Sequence, residues 1–153
     1  MRKLYKYSQK SNLMNIRIKL GSELFKFNLF EELKVDENTI NDEIASQPTI
    51  QAFLGTLQTK LERIKSDKEA EREKIYASLF VSIKNTVEDS TGRYPSDDLT
   101  KQKVIKSGKY QNIVSECNVA KENYNTLRNC VEAFNQRAFL VQTLSANIRK
   151  ADS

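Results

Sequence analysis

The chain has 153 residues, of which 25 are basic and 20 acidic, giving a net charge of +5. It contains no histidine, which removes the usual general base and the commonest metal ligand. Glycine-rich nucleotide loops are absent as well. We therefore expect no enzymatic activity, no metal site and no cofactor.

Few turn-forming residues interrupt the sequence, with only four glycines and two prolines. Such a composition favours long helices with few connections. We predict a mainly α protein with two long helices, short helices and a small N-terminal strand or hairpin element. Its parts are a basic N-terminal region (1–35), an acidic linker with a charged central helix (36–89), and a short basic helix with a long C-terminal helix (90–153).

Charge is segregated along the chain. Residues 1–30 carry seven basic and one acidic residue, whereas 31–50 carry one basic and six acidic residues. Residues 91–153 are again basic, with ten basic and six acidic residues. This pattern suits a polyanion partner or a head-to-tail self-contact, and ordinary surface charge is the alternative. No apolar stretch is long enough for a membrane span, so we expect a cytoplasmic protein.

The N-terminal region begins with a basic arm, residues 1–12, which is either a frayed terminus or a polyanion-binding arm. Residues 14–20 then alternate between apolar and polar side chains, which predicts a strand. Gly21-Ser22 is a possible two-residue turn. The following residues to Leu33 predict either the second strand of a hairpin or a short helix.

A long central helix is predicted from Pro48, a residue suited to the first turn of a helix, to about Glu88. Its apolar stripe is interrupted between Ser66 and Lys74, where Lys68 and Arg72 fall on the apolar face itself. Unpaired charges are costly to bury. Either these cations face an anionic partner, or the segment is a solvated face with pairs such as Glu69–Arg72.

The second long helix follows a short basic helix that is capped by Ser96. Apolar side chains recur along it in steps of four and three residues, which is typical of a helix packed lengthwise against another helix or a neighbouring subunit. The positions are Ile113, Cys117, Ala120, Tyr124, Leu127, Val131, Phe134, Ala138 and Val141. Cys117 and Cys130 are about 20 Å apart on this helix, so they cannot pair with each other.

Near its end the apolar face widens at Phe139, Leu140 and Leu144, which favours contact with more than one neighbour. We therefore expect this helix to form the subunit interface of a homo-oligomer. The predicted interface residues are Tyr124, Leu127, Val131, Phe134, Phe139, Val141 and Leu144.

The order of these segments resembles the UvsY-like recombination mediators of tailed phages. The resemblance covers about residues 28–150. It rests on Val35–Ile40, Glu43, Pro48, Phe53-Leu54, Leu61–Ile64 and Phe134–Phe139. The DNA-binding motif of that family, Lys-Ala-Arg-Leu-Asp-Tyr-Tyr, falls on Arg72–Ser78, which keeps two basic positions and one aromatic residue but lacks the tyrosine pair and the aspartate.

The resemblance implies a mediator in the host cell cytoplasm that binds single-stranded DNA. It also implies a closed homo-oligomeric ring of about six or seven subunits, joined through the C-terminal helix. Its further partners would be a RecA-like recombinase and the single-strand-binding protein that the recombinase displaces. The predicted DNA-binding residues are Lys65, Lys68, Arg72, Lys74 and Tyr76.

Two other functions are compatible with the same residues. One is a helical scaffold or adaptor protein, such as a phage assembly protein, that oligomerises without preferring single-stranded DNA. The other is a polyanion or membrane-surface binder that uses the basic N-terminal arm.

Overall fold

The computed structural model describes residues 15–20, 23–87 and 92–151. Strands β1 (Asn15–Leu20) and β2 (Glu23–Asn28) form an antiparallel hairpin in which Asn15 lies opposite Asn28. The hairpin prediction is therefore confirmed. The predicted basic arm and the Gly21-Ser22 turn lie outside the described residues.

A short helix, α1 (Leu29–Glu32), follows the hairpin directly. The side chain of Asn28 caps this helix by accepting hydrogen bonds from the backbone N–H groups of Phe30 and Glu31, at 3.0 and 3.2 Å. A 3-10 turn at Glu37–Thr39 then leads into the first long helix. The hairpin and the short helix thus occur together, where the sequence left them as alternatives.

Helix α2 (Ile40–Lys84) has 45 residues and contains Pro48 in its interior. The prediction that this helix begins at Pro48 is wrong. Proline lacks the N–H that would bond to the preceding turn, which disfavours it inside a helix. Here α2 buries Ile40 and Gln47 before the proline and Leu54 after it, so packing on both sides of Pro48 keeps the helix continuous.

Helix α3 (Asp97–Lys106) is capped as predicted, because Ser96 Oγ accepts a hydrogen bond from the backbone N–H of Leu99 at 3.3 Å. Ser107 has an extended backbone, with φ −68° and ψ 134°, and separates α3 from the second long helix. Helix α4 (Gly108–Ala151) has 44 residues. Two long helices with the short helix α3 between them, preceded by the hairpin and the short helix α1, confirm the predicted fold class.

The chain divides into two compact units. The hairpin unit comprises the described residues up to Leu61 and those from Asn123 onward, and the connector unit comprises Glu62–Glu122. Each long helix contributes to both units, whereas the predicted boundaries, after residues 35 and 89, lie in the connecting segments. No helix of the described chain combines the length and the apolar character that crossing a membrane requires.

The core of the hairpin unit lies between the hairpin, the first half of α2 and the second half of α4. In this unit α2 and α4 run antiparallel, since Glu43 contacts Arg137 and Gln51 contacts Asn135. Its buried apolar residues are Ile16, Ile18, Ile40, Leu54, Leu57, Leu61, Leu127, Cys130, Phe134, Ala138 and Val141.

The core of the connector unit is smaller and is closed by α3. Its buried residues include Thr100, Val104, Ile113, Cys117 and Ala120. The ammonium of Lys84 near the end of α2 lies 2.6 Å from the carboxylate of Asp97 and donates to the carbonyl of Pro95 at 2.9 Å. These two contacts attach the beginning of α3 to α2.

Candidate nucleic-acid interface

Lys68 lies on α2 and faces α4 within the connector unit. Its ammonium donates to the carboxylate of Glu116 at 2.6 Å and to that of Glu71 at 2.8 Å. The hydrogen bond to Glu116, followed by that to Glu71, raises the pKa of Lys68 above its ordinary value. This cation on the apolar face is therefore matched by an anionic partner, and the partner comes from the chain itself.

The other predicted DNA-binding cations also lie on α2. Arg72 Nη2 donates to the carboxylate of Glu73 at 2.7 Å, and this bond raises the pKa of Arg72. Lys74 is exposed, and Lys65 is half-buried. The segment thus carries ion pairs, as the solvated-face interpretation expects, although Arg72 pairs with Glu73 rather than with Glu69.

Tyr76 belongs to a small aromatic cluster in the connector unit. Its ring stacks on Phe80, with centroids 6.2 Å apart, and meets the edge of Tyr110 at 5.7 Å. All three side chains are half-buried. Because an aromatic face that keeps some exposure can stack on a nucleic-acid base, the cluster supplies chemistry that a single-strand binder uses.

Cys117 and Cys130 on α4 are free and buried, as predicted. The Cys117 thiol donates to the carbonyl of Lys68 at 3.2 Å. Burial raises the pKa of the Cys130 thiol, which disfavours the nucleophilic thiolate. Among the residues that the structure describes, no group of histidine, cysteine, aspartate and glutamate side chains could hold a metal ion.

The predicted interface residues separate into two classes. Leu127, Phe134 and Val141 are buried within one chain, with exposed fractions of 0%, 4% and 0%. For these three, the structure supports packing within one chain. The remaining four keep surface available: Tyr124, Val131 and Leu144 are half-buried, and Phe139 is 70% exposed.

An exposed apolar surface lies near the end of α4, where the sequence predicted that the apolar face widens. Leu140, next to Phe139, is 58% exposed. Large apolar side chains that remain exposed together on one helix segment are typical of an interaction surface. An interface between subunits at this place would therefore use the side of α4 that does not face α2.

Sequence reasoning missed a buried polar cluster in the hairpin unit. Arg137 on α4 is only 6% exposed; its Nη2 donates to the carboxylate of Glu43 and, at 2.8 Å, to the carbonyl of Lys34. Gln47, one turn beyond Glu43, is also buried. The sequence offered a weak signal, since Arg137 lies three residues after Phe134 and four before Val141, on the apolar face of α4.

The hairpin unit also contains an open groove with a volume of about 470 Å³. Its walls come from β2, the first half of α2 and Phe134 of α4. The rings of Phe25 and Phe53 meet in it with centroids 5.9 Å apart. The groove is mainly apolar, and none of the predicted DNA-binding residues lines it.

The fold is similar to that of the recombination mediator protein UvsY of bacteriophage T4. Its crystal structure matches this one with a TM-score of 0.64, over 82% of this chain and 93% of that chain. Sequence identity is 8%, so the similarity establishes the fold and nothing finer. Neither the models of protein families nor the curated protein sequences gave a match. The chain therefore has a UvsY-like fold, as its sequence predicted.

Proposed function

We propose that this protein is a phage recombination mediator. It binds single-stranded DNA as a homo-oligomer and helps to load a RecA-like recombinase onto DNA that is covered by single-strand-binding protein. The observation that carries the proposal is the fold shared with UvsY of bacteriophage T4 over 82% of the chain. The number of basic residues by itself would favour a polyanion-binding protein, but it would not specify a function.

The connector unit supports single-strand binding through its side-chain chemistry. Cations on α2, including Arg72 and the exposed Lys74, lie in the same unit as the half-buried rings of Tyr76 and Tyr110. Cations that follow the phosphate backbone and aromatic faces that accept bases are the two features of sequence-independent single-strand binding. The carboxylates beside Lys68 and Arg72 compete with phosphates, so each subunit holds DNA weakly.

Weak individual sites suit a mediator, because it must release the strand when the recombinase takes over. Joining several subunits compensates for the weakness, since the second and later contacts become intramolecular events at a high effective concentration. The proposed ring therefore raises the total affinity while each subunit stays easy to displace. The exposed surface around Phe139 and Leu140 is the proposed contact between subunits.

Binding is tested by titrating labelled single-stranded and double-stranded oligonucleotides of the same sequence at several salt concentrations. We expect a preference for the single strand and an affinity that falls with salt, with a slope of about −0.7 for each phosphate contacted. Arg72→Glu/Lys74→Glu should weaken binding while light scattering still reports the intact oligomer. Equal affinity for both substrates would favour the helical scaffold instead.

Loading is tested separately, by following the DNA-dependent ATPase activity of a RecA-like recombinase on DNA already covered with single-strand-binding protein. We expect the protein to shorten the lag before activity begins. On naked DNA, where nothing must be displaced, the effect should disappear. A protein that binds the single strand but never shortens the lag is not a mediator.

A further inference from the structure

The cations of the predicted α2 site are outnumbered by their acidic neighbours. Residues 66–74 contain three basic and four acidic residues, a net charge of −1. Lys68 and Arg72 already bind carboxylates of the same chain. A phosphate backbone that approached this segment alone would meet little net attraction, so a polyanion binder with this fold needs further cations nearby.

The junction of α3 and α4 provides such cations. Residues 99–115 contain four lysines and no acidic residue, a net charge of +4 in a chain whose total is +5. This segment lies in the connector unit, as do residues 66–74. It also contains Tyr110, whose ring contacts Tyr76. Within the connector unit, this segment therefore provides four lysines and no carboxylate beside the aromatic cluster.

Lys106 and Lys109, on either side of Ser107, are the cations of this segment that remain available. Both side chains are exposed. Lys101, by contrast, lies 3.5 Å from Asp98. Within the described part of the chain, neither Lys106 nor Lys109 forms an ion pair. Phosphate groups can approach these lysines without displacing a carboxylate of this protein.

The position of Lys109 is electrostatically unfavourable in the free protein. It lies in the first turn of α4, where the helix dipole is positive, and this turn contains no acidic residue. The first turn of α3 shows the usual arrangement, with Asp97 and Asp98. An anionic ligand at the beginning of α4 would interact favourably with both the dipole and the lysine.

We propose that Lys106 and Lys109, at the junction of α3 and α4, form a second phosphate-binding surface that holds the backbone of single-stranded DNA beside the Tyr76–Tyr110 pair. This inference rests on the proposed function, since it adds contacts to the same ligand. It moves the main electrostatic attraction from the paired cations of α2 to the two unpaired lysines at the junction.

The test compares Lys106→Ala/Lys109→Ala with the control Lys60→Ala/Lys121→Ala, which removes the same charge from two other exposed lysines. The probe is an oligothymidylate of roughly 16 nucleotides, the upper end of single-site sizes. For the junction variant we expect weaker binding and a salt slope that is less steep by about 1.4, or about 0.7 for each lost phosphate contact. The control should keep the slope of the original protein, and Lys106→Arg/Lys109→Arg should restore binding.

The possible outcomes separate the two proposals. If the original protein binds the oligonucleotide and the junction variant matches the control, the junction surface is excluded while the proposed function stands. If the original protein does not bind the oligonucleotide at all, both proposals fail. Vesicles containing phosphatidylserine are a third probe. If the original protein binds only the vesicles, and the junction variant loses that binding, the two lysines bind a membrane surface and the inference is overturned.

Discussion

The ammonium of Lys68 lies 2.6 Å from the carboxylate of Glu116, although 48 residues separate them in the sequence. The pair connects α2 to α4 at the point where the apolar stripe of α2 is interrupted. It shows that a cation on a packed face can be satisfied within the chain. A DNA strand that binds Lys68 must therefore compete with Glu116.

Removing this competitor is the first prediction. In Glu116→Gln, Lys68 loses its nearest carboxylate, so we expect tighter binding to single-stranded DNA and a salt slope that is steeper by up to about 0.7. Fluorescence anisotropy across a salt series measures both quantities. Glu122→Gln, an exposed glutamate further along α4, is the matched control. Equal effects of the two variants would mean that only the net charge matters.

The buried pair of Arg137 and Glu43 leads to a second prediction. Arg137→Met leaves the Glu43 carboxylate and the Lys34 carbonyl without their donor, and breaking a buried pair of this kind costs about 3 kcal/mol. Urea unfolding followed by circular dichroism measures the loss. In Glu43→Leu/Arg137→Met both charges are gone, so we expect most of the stability to return. A double variant as unstable as the single one would contradict this account.

The apolar surface near the end of α4 leads to a third prediction. In Phe139→Ser/Leu140→Ser, two side chains that are 70% and 58% exposed in the single chain become polar. We expect the oligomer to dissociate while the chain stays folded, as light scattering combined with circular dichroism would show. Oligomers of unchanged mass would place the interface elsewhere.

A contrasting outcome is expected for the core of the same helix. Leu127 is fully buried within the chain, so Leu127→Ala should cost about 2–5 kcal/mol of stability. Thermal unfolding measured at several protein concentrations distinguishes this loss from dissociation. If the variant keeps its stability as a monomer but no longer assembles, Leu127 belongs to the subunit interface, as the sequence predicted.

The contact between Lys84 and Asp97 leads to a prediction about pH. The hydrogen bond from Lys84 holds the pKa of the Asp97 carboxyl below its ordinary value. Folding therefore gains stability from this group above the unfolded pKa of about 3.9, and the gain is lost as the pH falls through the lower folded value. Thermal unfolding between about pH 5 and pH 2 should show a weaker pH dependence in Asp97→Asn. Lys84→Met should show the same change, because it removes the other partner.

Several features could be predicted because their causes are local. The steps of four and three residues from Ile113 to Val141 follow from the helical period, and the structure buries most of these side chains. The alternation of apolar and polar side chains at residues 14–20 likewise predicted a strand. The cap at Ser96 needs only a side-chain oxygen a few residues from the N–H groups that it satisfies.

The beginning of α2 could not be predicted in the same way. Pro48 is compatible with the first turn of a helix. Ile40 and Ile44, four residues apart, predict a short helical turn before it, but nothing local shows that this turn continues through Pro48 as one helix. The burial of Ile40 and Gln47 favours a helix that begins before Pro48, and their burial depends on chain segments far away in the sequence. Local preference was overridden by packing.

The sequence by itself determined the long helices, the first strand of the hairpin and the segregation of charge, because each depends on neighbouring residues. Only the tertiary structure decided which charges are satisfied. Lys68 meets Glu116 across 48 residues, and Arg137 meets Glu43 across 94. A pattern along one helix shows that a charge faces inward, but the group that it meets belongs to another helix, and folding alone brings the two together.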